Sequence, residues 1–246
     1  MDPAELAALA AIALAGALLF GLTGFGSALV TIPLATHIVP LPFALALFAL
    51  SDLVSALRVG LENPRNAVRS EWTRLVPMIV LGTALGVSAL VNLPRALGMF
   101  LLGAFVLSFA LYSLARRASP RVISPRWAWL AGLGGGITST LFGAGGPPYV
   151  IYLSQRGLTK EQFRATLGFA TMTSISLRVL AFLLTGLLLD PQVWIAAALA
   201  VPAAFAGIAI SRRLFHRISR DMLLRAVTVL LLASGASLVL RSFNWG

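Results

Sequence analysis

Arg178 lies in an apolar run, about ten apolar residues from the next connection, with no carboxylate in its own run. An arginine at that depth costs at least about 2.5–3.5 kcal/mol unless something pairs with it. A bound anion is a sufficient partner; snorkelling and a structural clamp on backbone carbonyls are the alternatives. Thr171 and Ser174 share its helix face, since 171, 174 and 178 are spaced i, i+3, i+7. Ser51, Ser55 and Arg58 form a similar stripe at i, i+4, i+7. Glu62 and Pro64 mark the end of that run, so Arg58 either joins a site or snorkels. Asp52 is the only carboxylate well inside an apolar run. It either pairs with an arginine of the other half or takes part in proton coupling. Hydroxyls beside guanidinium groups hold oxyanions. For catalysis, the chain lacks a recognisable nucleophile, acid–base pair or metal constellation in its apolar runs. It has no cysteine, and neither His37 nor His216 has metal-ligand company. The sequence therefore predicts a binding protein for small anions, without enzymatic activity, cofactor or metal.

A second kind of anion-binding group comes from the backbone. Leu133 to Tyr152, LGGGITSTLFGAGGPPYVIY, interrupts an apolar segment with six glycines and two prolines. Leu22 to Pro33, LTGFGSALVTIP, is its partner near the N-terminus. Breaks at corresponding places in two halves are the sequence pointer to a transporter's binding site. Non-helical backbone in a bilayer is tolerated only where protein or a water-filled cavity satisfies it, so the two breaks are expected to meet inside the protein near the midplane. Gly24, Phe25, Gly26 and Ser27 form the first break; Gly143, Ala144, Gly145, Gly146 and Pro147 form the second. Each precedes a new half-helix, with Pro147 suited to a first turn. Each half-helix start presents unpaired N–H groups and about half a positive charge, so two converging starts make an anion site. Gly132, Gly134, Gly135 and Gly136 have the alternative role of letting helices pack closely.

The elements that must position these groups are membrane helices. At 246 residues, 59% hydrophobic and 11% charged, with mean hydropathy +0.92, the chain cannot make a soluble surface and reads as an all-α polytopic membrane protein. The net charge of +11 collects in short connections, as the positive-inside rule requires. No nucleic-acid motif accompanies it, so the expected partners are a small anion and the lipid bilayer, with a homo-oligomer compatible with both. The start, Met1-Asp2-Pro3-Ala4-Glu5, lacks a basic region and does not read as a cleaved signal peptide. Trp72, Trp127, Trp129, Trp194 and Trp245 fall near span ends as interface anchors.

Leu6 to Val39 as one helix would be about 50 Å long, more than the roughly 30 Å hydrocarbon core. Apolar runs follow at about 41–62, 73–91, 95–115, 127–155 (the second broken stretch), 163–188, 192–211 and 221–242. A shift of 119 to 120 residues brings Leu22, Gly24 and Gly26 onto Leu141, Gly143 and Gly145, and Ser51, Arg58 and Val59 onto Thr171, Arg178 and Val179. The order of events repeats too, which points to an internal duplication. If every run crossed, the basic connections at 116–126 and 156–164 would lie on opposite sides. They share a side if the stretch between them enters and leaves on one face as a re-entrant hairpin. The expected fold is then two inverted repeats, each a broken re-entrant hairpin plus three transmembrane helices. The first repeat occupies residues 1–118, a cytoplasmic basic linker 119–126, and the second repeat 127–246, with both termini extracytoplasmic.

GLTGFGSALVTIPL in the first half, and GGGITSTLFGAGGPPYVIYLSQRGLTKEQFRATL in the second, resemble the TauE/SafE family of bacterial membrane proteins, known as sulfite exporters and permeases for organosulfur anions. The resemblance covers nearly the whole chain, including its size and doubled organisation. It departs at Phe25 and Ser27, where glycine-richer versions are common. It implies transport of a small sulfur-containing or carboxylate anion across the bacterial inner membrane, without fixing which one. The expected mechanism is alternating access about a midplane site formed by the two breaks, the hydroxyl stripes and Arg178, with or without Arg58. A passive anion channel shares most of these features, and a membrane-embedded enzyme is the third reading.

Overall fold

Glycine and proline set the helix boundaries in the computed structural model, which describes residues 1–115, 122–214, 229, 231–233 and 235–240. Helix α1, Pro3–Thr23, starts with Pro3 in its first turn and the Asp2 amide donating to the Glu5 carboxylate at 3.0 Å. It stops at Gly24, whose φ of 81° is a left-handed conformation that glycine adopts without a Cβ penalty. Gly26, at φ 88°, turns the chain into α2, Ser27–Ala35. Then come α3 (Leu41–Gly60), α4 (Arg69–Asn92) and α5 (Arg95–Ala115). The second half repeats the order: α6 (Ala128–Phe142), a left-handed Gly143, α7 (Gly146–Leu153), α8 (Lys160–Leu184) and α9 (Pro191–Leu214). A capping box between Thr159 and Gln162 starts α8. Every regular element among the described residues is helical.

Five described helices are long and apolar enough to cross a membrane: α1, α3, α4, α8 and α9. Ala96–Tyr112 within α5 is a shorter apolar stretch. At 21 residues α1 is about 31 Å long, whereas the 15 residues of α6 reach about 22 Å. The two broken stretches thus differ: the first helix of the first is long enough to span, and that of the second is not. The run expected at 221–242 is described only at 229, 231–233 and 235–240. Arg116, Arg117 and Arg121 of the basic connection at 116–126, His216 and Trp245 lie outside the described residues.

Packing follows the placement of small residues, because helices in a bilayer are held by close contact rather than by exclusion of water. A methyl at Gly136 would come within 2.5 Å of the Ile79 carbonyl, and one at Gly132 within 2.7 Å of the Leu75 carbonyl, so α6 lies backbone to backbone on α4. Successive contacts, 132 near 75–79 and 136 near 79–83, show that these helices run parallel. Gly207 of α9 meets Leu14 to Leu18 of α1, and Gly21 meets Ser211, again in parallel. In contrast α3 and α8 are antiparallel, with Gly60 against Gly168 and Asp52 against Arg178. Gly132 and Gly136 therefore do the packing that was one of their two readings. Gly135 makes room for the Tyr149 ring, and Gly134 has only Pro148 near, at 3.9 Å. The most buried span is α3, whose Leu45, Leu47 and Phe48 belong to the same apolar core as Leu29 and Ile32 of α2 and Leu102 and Val106 of α5.

Charges gather where helices end. Glu62 faces Arg164 at 3.4 Å and Arg212 at 3.2 Å, pairs exposed enough to contribute little. Glu71, only 5% exposed, is the stronger anchor: it accepts from Arg156 at 2.9 and 3.1 Å, from Arg74 at 3.0 Å and from the Tyr152 hydroxyl. Arg156 also donates to the Ile123 carbonyl, and the Ile123 amide donates to the Gln155 carbonyl at 3.0 Å, joining the two ends of the α6–α7 hairpin. Charged hydrogen bonds of this kind contribute about 1.5–3 kcal/mol. Glu71→Gln is accordingly expected to lower stability by about 1.5–3 kcal/mol. Arg156→Gln in that background should cost much less than in wild type when thermal unfolding in detergent is compared. Equal losses in both backgrounds would mean that the two side chains act independently.

Candidate functional site

The two breaks meet at a cavity of about 20 Å³, room for roughly one water molecule. From the first break it is lined by Phe25, Gly26 and Ser27, together with Phe20 and Ala28 on either side. Gly143, Ala144, Gly145 and Gly146 line it from the second break. Asp52 of α3, Ser139 of α6, Tyr149 of α7, and Thr171, Ser174 and Ile175 of α8 complete the wall. The breaks touch directly: a Cβ at Gly146 would lie 2.8 Å from the Phe25 Cβ, and one at Gly143 would lie 2.9 Å from the Ala28 Cβ. Phe25 also packs edge-on against Phe109 of α5, with ring centroids 6.3 Å apart. Its backbone is fixed by Thr23, which accepts from the Phe25 amide at 3.3 Å and donates to its carbonyl.

The backbone donors of the two half-helices are unequal. A helix start leaves its first amides without intrahelical partners. In α2 these are Gly26, Ser27 and Ala28, the Leu29 amide already donating to the Gly26 carbonyl at 3.2 Å. In α7 the second and third residues are Pro147 and Pro148, which have no N–H, so Gly145 and Gly146 remain. Gly24, Ser51, Ser55, Pro147 and Arg178 do not line the cavity.

Arg178 is 1% exposed, which excludes snorkelling. Its Nη2 donates to the Asp52 carboxylate at 2.9 Å and its Nη1 to the Ser139 carbonyl at 3.1 Å. The partner expected to be a bound anion is thus a carboxylate from the other half of the chain, and the carbonyl clamp is present as well. Ser27, the first residue of α2, donates to the second Asp52 oxygen at 2.7 Å. The pair is formally neutral and links α2, α3, α6 and α8. Two buried polar atoms beside it have no hydrogen-bond partner, Arg178 Nε and the Ser139 hydroxyl, and Ser139 lines the cavity.

The hydroxyl stripes divide. Thr171 and Ser174 reach the cavity, Ser174 accepting from the Tyr149 hydroxyl at 3.0 Å and the Thr171 hydroxyl donating back to its own helix, to the Leu167 and Gly168 carbonyls at 2.9 and 3.0 Å. Ser51 and Ser55 are buried but turn back onto their own helix, donating to the carbonyls of Leu47 at 3.4 Å and Ser51 at 2.9 Å. Arg58 is exposed in the last turn of α3 and does not line the cavity. Phe20, Ala28, Ser139, Tyr149 and Ile175 line it without a signal in the sequence. Among the described residues no cluster of three or more His, Cys, Asp or Glu could hold a metal ion. The arrangement places hydrogen-bond donors around a buried, formally neutral ion pair.

The family model for Sulfite exporter TauE/SafE matches residues 8–238. The chain is 26% identical over 193 residues to "Probable inner membrane transporter protein TsaS" of Comamonas testosteroni, covering 78% of this chain and 81% of that protein. No solved structure matches.

Proposed function

We infer, from the fact that this chain belongs to the Sulfite exporter TauE/SafE family of membrane transporters, that it moves a small anion by alternating access. The substrate class is a sulfur-containing oxyanion or organosulfonate, and the membrane is the bacterial inner membrane. The observation that carries this reading is the convergence of both chain breaks on one cavity, with the amides at the start of α2 and α7, the unpartnered Ser139 hydroxyl and the Thr171 and Ser174 hydroxyls around it. Inverted repeats are supported by helix directions: α3 and its counterpart α8 run antiparallel, as repeats related by an in-plane axis must. A re-entrant second hairpin is supported by the hydrogen bond that brings residues 123 and 155 together at one end. The basic connections then face the cytoplasm and both termini face outward. The first turns of α1 would extend beyond the hydrocarbon layer. The cavity is too small for a multi-atom anion as it stands, so the tips must part for substrate to enter. Arg58 lies outside this site. A potential of 100 mV, inside negative, favours outward movement of one uncompensated negative charge by about 2.3 kcal/mol.

The test is binding of sulfite, sulfate, thiosulfate, taurine-like sulfonates and short carboxylates to the purified protein, followed by counterflow in liposomes. Sulfur oxyanions or sulfonates are expected to bind, and anion on the far side to accelerate flux. Flux that ignores the far-side anion would make the protein a channel. Ser139→Ala is expected to weaken binding about 5- to 10-fold, the equivalent of one lost hydrogen bond, and unchanged affinity would remove Ser139 from the site.

A further inference from the structure

We propose that Asp52 is the proton-binding group of this transporter: it holds Arg178 while the site is empty and releases it on protonation, so that one proton and one monovalent anion are bound together. This rests on the transport reading above. Three observations on the page lead to it.

The first is the charge count. Asp52, 4% exposed, and Arg178, 1% exposed, cancel each other. A monoanion entering beside them would leave one net negative charge in an apolar interior, which is strongly unfavourable. The half-helix starts offer partial charge only. The Gly26, Ser27 and Ala28 amides remain at α2, where the Ser27 hydroxyl is on Asp52, and α7 lacks two of its first donors at Pro147 and Pro148. One proton on Asp52 restores neutrality when one anionic charge has entered, and leaves a dianion uncompensated.

The second is the hydrogen-bond inventory. The Arg178 fork has one N–H on Asp52, one on the Ser139 carbonyl, and Nε without a partner. Protonating Asp52 removes its negative charge and frees the Nη2 side of the fork. Nη2 and Nε then present adjacent donors to two oxygens of one oxyanion, the bidentate geometry in which arginine is strongest. The proton comes from solvent hydronium: one of its O–H bonds breaks as the carboxyl O–H forms, and a neutral water molecule is left. Ser27 can accommodate it, since a hydroxyl that donates to the carboxylate can rotate to accept from the carboxyl.

The third is isolation. Among the groups facing Asp52, α8 supplies Arg178 and α2 supplies Ser27. Tyr149 of α7 lines the same cavity but donates to Ser174. The segments Leu6–Thr23 of α1, Ala128–Phe142 of α6 and Ser27–Ala35 of α2 contain no acidic, basic or tyrosine residue. In α9 the charged residues are Arg212 and Arg213 at its end, Arg212 being on Glu62. The duplication pairs Asp52 with Met172 at a shift of 120, so the second repeat supplies no equivalent carboxylate. The proton gradient would thus act through one group, driving anion and proton inward together.

Full-length protein in liposomes, with radiolabelled sulfite as the probe, separates the possibilities. Sulfite itself takes up a proton near neutrality, so wild type and Asp52→Asn are compared under the same gradient. The ratio of gradient-driven net uptake to sulfite counterflow is expected to be about tenfold lower in Asp52→Asn, with Asp52→Glu restoring part of it. Equal ratios overturn the proposal. If Asp52→Asn does not fold, difference infrared spectroscopy of wild type decides. Sulfite should raise a protonated-carboxyl band that shifts with carbon-13-labelled aspartate, and no such band overturns the proposal. Wild type without counterflow overturns the transport reading, whereas counterflow with a normal ratio in Asp52→Asn overturns the coupling alone.

Discussion

Arg178→Ala is expected to destabilise the protein by about 3–5 kcal/mol, because it leaves the buried Asp52 carboxylate without its counter-charge. The cost comes less from the lost attraction than from the stranded charge. Asp52 would keep only the Ser27 hydroxyl, and the Ser139 carbonyl would lose its donor from Arg178. Removing both charges should therefore be milder than removing one: Arg178→Gln with Asp52→Asn is expected to recover most of the loss. Arg178→Lys should fall between, since an ammonium is a point charge and cannot reproduce a fork reaching Ser139 on one side and Asp52 on the other. Unfolding in graded detergent denaturant measures all of these, and the double-mutant cycle isolates the pair. A single Arg178→Ala variant as stable as wild type would mean that the pair does not hold α3 against α8. The charge count behind proton coupling would then lose its basis.

The sequence made the positions of both breaks legible, because left-handed glycines at 24, 26 and 143 are punctuation that an apolar helix cannot absorb. It also marked Arg178 and Asp52 as anomalies, since each is a charge set well inside an apolar run rather than at its end. It could not show that they are each other's partner. They are 126 positions apart, and their contact depends on α3 and α8 crossing antiparallel. Arg58 and Arg178 are equivalent by sequence offset but differ in depth: one ends its helix and reaches the surface, while six more helical residues follow the other. Tyr149 and Ser139 gave no signal because tyrosine and serine are ordinary in membrane helices. Tyr149 reaches Ser174 only because Gly135 leaves space for its ring. The glycine cluster at 132–136 was ambiguous for a related reason: with a helical period, two of its members face α4 and two face α7.

The two break glycines Gly24 and Gly143 share a left-handed backbone but should respond differently to the same substitution. In a left-handed conformation a Cβ costs about 1–2 kcal/mol, and Gly24→Ala should lose only that, since its Cβ would find nothing closer than Leu167 Cδ2 at 4.0 Å. A Cβ at Gly143 would stand 2.9 Å from the Ala28 Cβ, 3.1 Å from Arg178 Nη1 and 3.2 Å from Ile32 Cγ1. Overpacking of that kind adds about 1–3 kcal/mol, for a combined loss of roughly 2–5 kcal/mol. The neighbours also determine what else is lost. Relief of the clash requires either α2 to move away from the second break or the Arg178 fork to leave the Ser139 carbonyl. Under the proposed anion-binding role, Gly143→Ala should therefore weaken binding of a sulfite probe in protein that remains folded, while Gly24→Ala should leave the residual affinity closer to wild type. Thermal unfolding and sulfite titration of the two variants side by side give both readouts. Equal stability losses would show that the second break tolerates expansion toward α2, and equal affinities would separate the meeting of the two breaks from recognition of the anion.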